Sequence, residues 1–226
     1  MTGGRPVRDV VGVAIAVIVA GVCVRLGMWQ LRRREERRAI VERLLAVRAL
    51  PPVEVATAQI PADSVRDRRV HLRGTFDYSR ERVWPGRSYQ DVPGVALITP
   101  LRLPDGSGVL VDRGFAPAAD AWHVRFDLFR DPDSADVAGL ALPAPRGRGD
   151  VDPARLGDSF PYPVARWVVL ELEHQGQGSP RVFRWRAEPL DLGPHLLYAI
   201  QWFSFATITI VGTFFLLRRT AGERHS

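Results

Sequence analysis

The chain is apolar at both ends and mixed between them. Val10 to Val24 is an unbroken apolar run, and Arg25 to Trp29 extends it with one charge whose long stem can reach a membrane surface. About 20 residues at ~1.5 Å rise cross a bilayer core of ~30 Å, so this run predicts a first transmembrane helix over 10–29. A second apolar run, over 196–217, has Tyr198 and Trp202 near its start, where an interfacial aromatic belt would lie, and ends before Arg218-Arg219. Arg5 and Arg8 ahead of the first run also fit a secretory signal peptide. Against cleavage, the best small-residue frame, Ala20-Gly21-Val22, ends on bulky Val22, which also spoils a lipobox before Cys23. An uncleaved span follows, with tails 1–9 and 218–226 on one side of the membrane. Gly12, Ala16 and Ala20 fall four apart, a stripe on which a partner helix could pack.

Between the runs the periodicity changes. Arg32 to Ala49 continues as a leading helix, 32–49, with Ile40, Val41, Leu44 and Leu45 as its apolar stripe and Arg38 placed to pair with Glu42. Pro51-Pro52 ends it. Short alternating segments between turns then predict strands at 69–76, 81–84, 95–103, 109–115, 136–142, 164–173 and 181–188. Pro104-Asp105-Gly106 predicts a hairpin turn, Pro fixing φ and Gly supplying a positive one. Residues 144–158, rich in Pro, Gly and charge, read as a loop. The fold class is therefore membrane α+β: two transmembrane helices flank one β-rich, mainly antiparallel domain, barrel- or sandwich-like, within 30–195.

Charge changes this picture little. The net charge is +6, and all 31 basic residues are Arg, with no Lys and no Asn in the chain. Such a bias fits GC-rich coding better than phosphate binding. The arginines lie scattered without interleaved stacking aromatics, which argues against nucleic acid, while a basic surface can favour anionic membrane lipid. Arg5, Arg8, Arg218, Arg219 and Arg224 would hold the tails in the cytoplasm, but Arg32, Arg33, Arg34, Arg37 and Arg38 pull the other way. Charge alone leaves orientation undecided. Cys23 is the only cysteine, so neither an intramolecular disulfide nor a two-cysteine copper site is open to one chain.

Enzyme chemistry finds no foothold. Gly86-Arg87-Ser88 and Gly106-Ser107-Gly108 do not complete a nucleophile elbow, and no glycine-rich phosphate loop precedes a helix. Asp131, Asp133 and Asp136 imitate part of a calcium loop but lack its Gly and closing Glu, so they read as a polar turn. Glu171 and Glu173 read as a solvated strand face. Among His71, His123, His174, His195 and His225 no pair has metal-ligand spacing, and all but His195 read as ordinary surface residues. His195 stands at the membrane boundary after Gly193-Pro194, sharing a helix face with Tyr198 or Ala199, Trp202 and Ala206. It reads either as an interfacial residue at a helix start or as a ligand to the iron of a flat apolar macrocycle.

Three blocks resemble the Surfeit locus protein 1 family of cytochrome c oxidase biogenesis factors. The first is Leu26-Gly27-Met28-Trp29-Gln30-Leu31-Arg32-Arg33 at the exit of the first span. The second combines Gly74-Thr75-Phe76, Val95 to Leu101 and Val109-Leu110-Val111-Asp112-Arg113-Gly114-Phe115, and the third is His195-Leu196-Leu197-Tyr198-Ala199-Ile200-Gln201-Trp202-Phe203. The likeness is thin over 116–188, and Asp112, Phe115 and Gly193-Pro194 stand where the family usually has Asn, Trp and Asn. The resemblance implies a bacterial plasma-membrane protein with its central domain extracytoplasmic and both termini cytoplasmic. It implies no enzyme but an assembly factor that binds haem a transiently and promotes its delivery into cytochrome c oxidase subunit I, with haem a synthase as a further partner. His195 would ligate the haem iron, with Trp29, Gln30, Arg33, Tyr198, Gln201 and Trp202 around the ring. A structural membrane chaperone that stabilises a subunit I intermediate without haem is the other reading.

Overall fold

A computed structural model describes residues 4–120, 123–143, 152–156, 159–173, 181–187 and 190–222. The chain divides into two compact units, Leu44–Pro189 and the paired segments Met1–Arg43 and Leu190–Ser226. The helical unit contains most of α1 (Gly4–Ala49) and all of α4 (His195–Gly222). α1 is one unbroken helix of 46 residues, about 69 Å long at ~1.5 Å per residue and over twice a bilayer's apolar thickness. The leading helix foreseen at 32–49 is thus the same rod as the first span. It stops before Pro51-Pro52, and Arg38 donates to Glu42 at 2.8 Å as the spacing predicted.

Both helices carry apolar runs long enough to cross a membrane. Their apolar side chains face outward: Val10 is 69% exposed, Ile18 64%, Leu197 71% and Ile208 66%. So much exposed aliphatic surface is unfavourable in water and neutral in lipid, consistent with a membrane protein with two spans. The buried stripe on α1 runs through Ala20, Cys23 and Gly27. A Cβ at Gly27 would lie 2.7 Å from the Phe203 ring, so this glycine admits α4 closely. Of the stripe expected at Gly12, Ala16 and Ala20, Ala20 is buried and Ala16 part-buried, while Gly12 is exposed with nothing within 4 Å of where its Cβ would be.

The other unit is a closed β-barrel. Its strands are β1 (Val53–Val55), β2 (Arg69–Phe76), β3 (Arg82–Tyr89), β4 (Val92–Arg102), β5 (Gly108–Pro117), β6 (Ser134–Pro143) and β7 (Val164–Glu171), with one-turn helices α2 (Ala62–Val65) and α3 (Pro153–Leu156). β2, β6, β7, β5 and β4 form the ring, closed where Thr75 and Phe76 of β2 pair with Arg102 and Leu101 of β4; β1 and β3 extend it. Pairing is antiparallel except for β5–β7 and β1–β2. At the seam, a Cβ on Gly74 would overlap the Arg102 carbonyl oxygen, so glycine permits closure there. The 103–107 turn forms as its sequence predicts, with Gly106 at φ +84° and Asp105 Oδ1 accepting from the Ser107 amide at 2.9 Å. The interior is filled from alternate strand positions, including Val70, Leu72, Leu101, Val109, Val111, Trp167 and Val169.

One ion cluster crosses this core. A register shift between Leu97 and Ile98, opposite Asp112 to Gly114, makes Arg113 the extra residue of a bulge, and its side chain is fully buried. Its five N–H donors reach Thr99 Oγ1 (2.9 Å), Tyr78 Oη (3.2 Å), Asp131 Oδ2 (2.8 Å), Glu81 Oε1 (2.9 Å) and the Phe129 carbonyl (2.8 Å). Arg184 then donates to Asp131 at 2.5 Å and lies 3.3 Å from Glu171. Asp131 is thus a buried counter-ion rather than a polar turn residue. Glu171, expected to be solvated, is 4% exposed, because β7 turns it toward Arg184. Residues 181–187 make isolated bridges, Phe183 to Phe115 and Trp185 to Leu172, instead of the strand predicted there. His71, expected on the surface, lies between Glu54 and Asp136, which raise its pKa above the ordinary value, the Glu54 hydrogen bond most strongly and against partial burial.

Replacing Arg113 with Met strands buried carboxylates, and unfolding of the purified full chain followed by far-UV circular dichroism is expected to show a loss of about 3–5 kcal/mol. His71 favours its cationic form when folded, so its stabilisation is complete below the ordinary value near ~6.5 and is lost as pH rises through the higher folded value. The wild-type melting temperature should fall across that window, and the fall should be absent in His71→Gln.

Candidate functional site

α4 begins where Pro194 can no longer extend the chain backward as helix. The Pro194 carbonyl accepts from the Tyr198 amide at 3.2 Å, and proline at this position sacrifices no donor. Gly193 precedes it at φ +67°, the left-handed region that favours glycine, and its amide donates to Asp191 Oδ1 at 3.1 Å. This turn sets His195 as the first residue of α4.

There it meets α1. His195 Nδ1 lies 2.9 Å from Gln30 Oε1, a contact across 165 positions of sequence. A carboxamide oxygen only accepts, so Nδ1 carries a proton, and in the neutral imidazole the lone pair is then on Nε2. That is the form in which histidine ligates a metal through Nε2, with the other nitrogen held by an outer partner. The free edge of the ring faces Gly193: a Cβ there would stand 3.7 Å from Nε2 and 3.6 Å from Cδ2. The missing side chain leaves room beside the lone pair.

The ring opens into a cleft of about 380 Å³, whose lining includes Arg33, Glu36, Arg37, Asp191 and Gly193. Arg33 and Arg37, one helical turn apart on α1, bring two guanidinium groups beside the imidazole. Arg33 pairs with Glu36 at 3.0 Å and Arg37 donates to the Asp191 carbonyl at 3.3 Å, while both stay largely in solvent. The cleft thus joins one imidazole to two guanidinium groups and two carboxylates, with Arg33 already paired to Glu36 and Arg37 free of a carboxylate partner among the described residues.

Of the residues singled out in the sequence, Gln30, Arg33 and His195 come together. Trp29 and Tyr198 are each 48% exposed and Gln201 is exposed, none of them in the cleft wall. Trp202 is part-buried two turns below His195 and packs edge-on to Phe205, with ring centroids 6.0 Å apart. Sequence reasoning missed Arg37, Asp191 and the open edge at Gly193; the four-residue spacing from Arg33 was the available signal for Arg37. His123 is exposed, 2.9 Å from Asp120, and His174 and His225 lie outside the described residues. No group of three His, Cys, Asp or Glu able to hold a metal ion occurs among the described residues.

A model of the SURF1 family matches residues 17–207. The chain is 27% identical over 226 aligned residues to a SURF1-like protein of Monosiga brevicollis, covering 88% of this chain and 84% of the relative. A SURF1-like protein of Rickettsia felis is 21% identical, covering 91% and 96% respectively. The Surfeit locus protein 1 of Takifugu rubripes is 26% identical over 117 residues, covering 45% of this chain and 49% of that protein.

The Gln30 contact fixes one tautomer, which nitrogen chemical shifts of the imidazole report directly. Labelled histidine in the full chain is expected to give a protonated Nδ1 and bare Nε2 for His195, and Gln30→Leu to give a mixture of tautomers.

Proposed function

This chain belongs to the SURF1 family, and from that premise we propose that it is a membrane-embedded assembly factor for cytochrome c oxidase that binds haem a and promotes its delivery into subunit I. The family is known in general as one of cytochrome oxidase assembly factors. The observation that carries the haem reading is the Gln30–His195 hydrogen bond at 2.9 Å, which holds the imidazole at a cleft also lined by Arg33 and Arg37.

In this reading haem a is cargo, and each residue has a limited task. His195 supplies one axial nitrogen. Gln30 holds the ring and its proton in place, which preserves the lone pair on Nε2. Arg33 and Arg37 meet the two propionate carboxylates, where guanidinium groups can form paired hydrogen bonds. Trp29, Tyr198, Gln201 and Trp202 offer apolar and hydrogen-bonding surface near the same helix ends. One axial ligand is compatible with release, since a carrier that supplied two strong ligands would retain its cargo. We place the barrel outside the cytoplasm and both termini inside it, in a bacterial plasma membrane, with subunit I and haem a synthase as partners. The exposed aliphatic faces of α1 and α4 also favour a second reading, in which the spans hold a subunit I intermediate without haem.

The full chain purified from cells making haem a should carry it, seen as a haemochrome spectrum, and His195→Ala should lose the signal. Arg33→Gln with Arg37→Gln should lower haem retention about tenfold or more, the cost of two charge-assisted contacts. Absence of haem, or retention unchanged in His195→Ala, overturns the carrier reading. Co-purification of subunit I with that haem-free protein would establish the second one.

A further inference from the structure

The short strand β1 is fastened to the barrel by side chains at the start of β2, and one of these fastenings titrates. β1 forms an edge of the sheet, with Val53, Glu54 and Val55 facing Val70, His71 and Leu72 of β2 in parallel. Around it, Arg69 donates to the Leu50 carbonyl at 3.4 Å and Arg68 to the Pro51 carbonyl at 2.9 Å. Those two bonds persist at any pH, because arginine keeps its proton. The third fastening is His71 on Glu54. β1 follows α1 with only 50–52 between them, so what grips β1 also grips the chain leaving that helix.

His71 is held at both ring nitrogens. Nδ1 lies 2.9 Å from Glu54 Oε2 and 3.0 Å from Oε1, and Nε2 contacts Asp136 Oδ1. A carboxylate only accepts, so both nitrogens donate, and a ring that donates twice is the imidazolium. Neutral histidine has one donor. Once the proton is lost, one nitrogen turns a lone pair toward a carboxylate, and that contact opens.

The surroundings decide which contact it is. The charged groups facing the ring are Glu54 from β1 and Asp136 from β6, with Arg69 and Arg73 beside it on the outer face of β2. Asp136 is anchored by a second cation, Arg73 Nε at 3.5 Å from its Oδ2, and its side chain is 41% exposed. Glu54 is 74% exposed, and His71 is its one ion-pair partner among the described residues. Glu54 is therefore the partner released. The two acids raise the His71 pKa against partial burial, the Glu54 hydrogen bond most strongly, which sets the release above the ordinary value of ~6.5.

We propose that His71 is a pH-sensitive latch on β1: the imidazolium clasps Glu54 and holds the strand to the barrel, while the neutral ring keeps Asp136 and lets Glu54 go. Acid fastens the strand and alkali loosens it, with the backbone pairing and the two arginine bonds still in place. Hydrogen exchange of the full chain in lipid nanodiscs tests this, read by mass spectrometry over a pH series and corrected for the intrinsic rate at each pH. Peptides covering 50–56 are expected to exchange faster than β5 throughout, as local opening requires, and to lose protection about threefold as pH rises through the folded value, the size of one partly exposed ion pair. His71→Gln, which cannot titrate, should make their exchange independent of pH. Asp136→Asn is the sharper variant. Its carboxamide can donate to Nε2, so the neutral ring keeps its proton on Nδ1 and Glu54 stays clasped, and protection should persist at alkaline pH. Protection of 50–56 that ignores pH in the wild type, exchange of this segment only together with β5, a response that survives in His71→Gln, or a wild-type loss in Asp136→Asn overturns the proposal.

Discussion

A single buried guanidinium organises the β domain. Arg113 cannot lose its charge, so a site that encloses it must offer an acceptor to every one of its N–H groups. Those acceptors come from Tyr78, Glu81, Thr99, Phe129 and Asp131, residues drawn from the approach to β3, from β4 and from the segment before β6. Aliphatic side chains filling the barrel are interchangeable in principle and would tolerate several packings. The arginine tolerates one. Its hydrogen bonds therefore select a single register among the strands, and the bulge at Asp112 to Gly114 is the backbone form of that choice.

The same bulge links the core to the outer face of the barrel. Successive residues of β5 point alternately inward and outward, so fixing Arg113 inside fixes Asp112 on the other face, next to Trp185 and the Arg87–Trp84 stack. In the helical unit a comparable division of labour holds at the start of α4. Gly193 and Pro194 establish where the helix begins, Gln30 holds one ring nitrogen, and the placement of His195 results from both.

Much of this was legible in the sequence. The spans were written in runs of apolar residues longer than a core helix needs, and six strands showed in alternating patterns ended by turn residues, because period and length are local properties. The 3-residue strand β1 was not legible, since so short a stretch has no period, and 181–187 alternates like a strand yet finds only single bridges. Burial of Asp131 and Glu171 was hidden for a different reason: a charged residue reads as exposed until its partner is known, and Arg113 and Arg184 are distant in sequence. At the candidate site, His195 and Gln30 could each be noticed within its own block. Their contact, and the place of Arg37 beside them, depends on the packing of α1 on α4, which no local pattern encodes.

The position of Arg184 in the chain has a consequence for biosynthesis. Every strand of the barrel is complete by Glu171, yet Asp131 and Glu171 receive this counter-ion only from a segment just ahead of the second span. A growing chain that has exposed all seven strands still lacks one cation of this buried cluster. Completing the cluster therefore waits until Arg184 has left the ribosome, when the second membrane anchor is already being made, so domain folding and the final insertion event are drawn together in time.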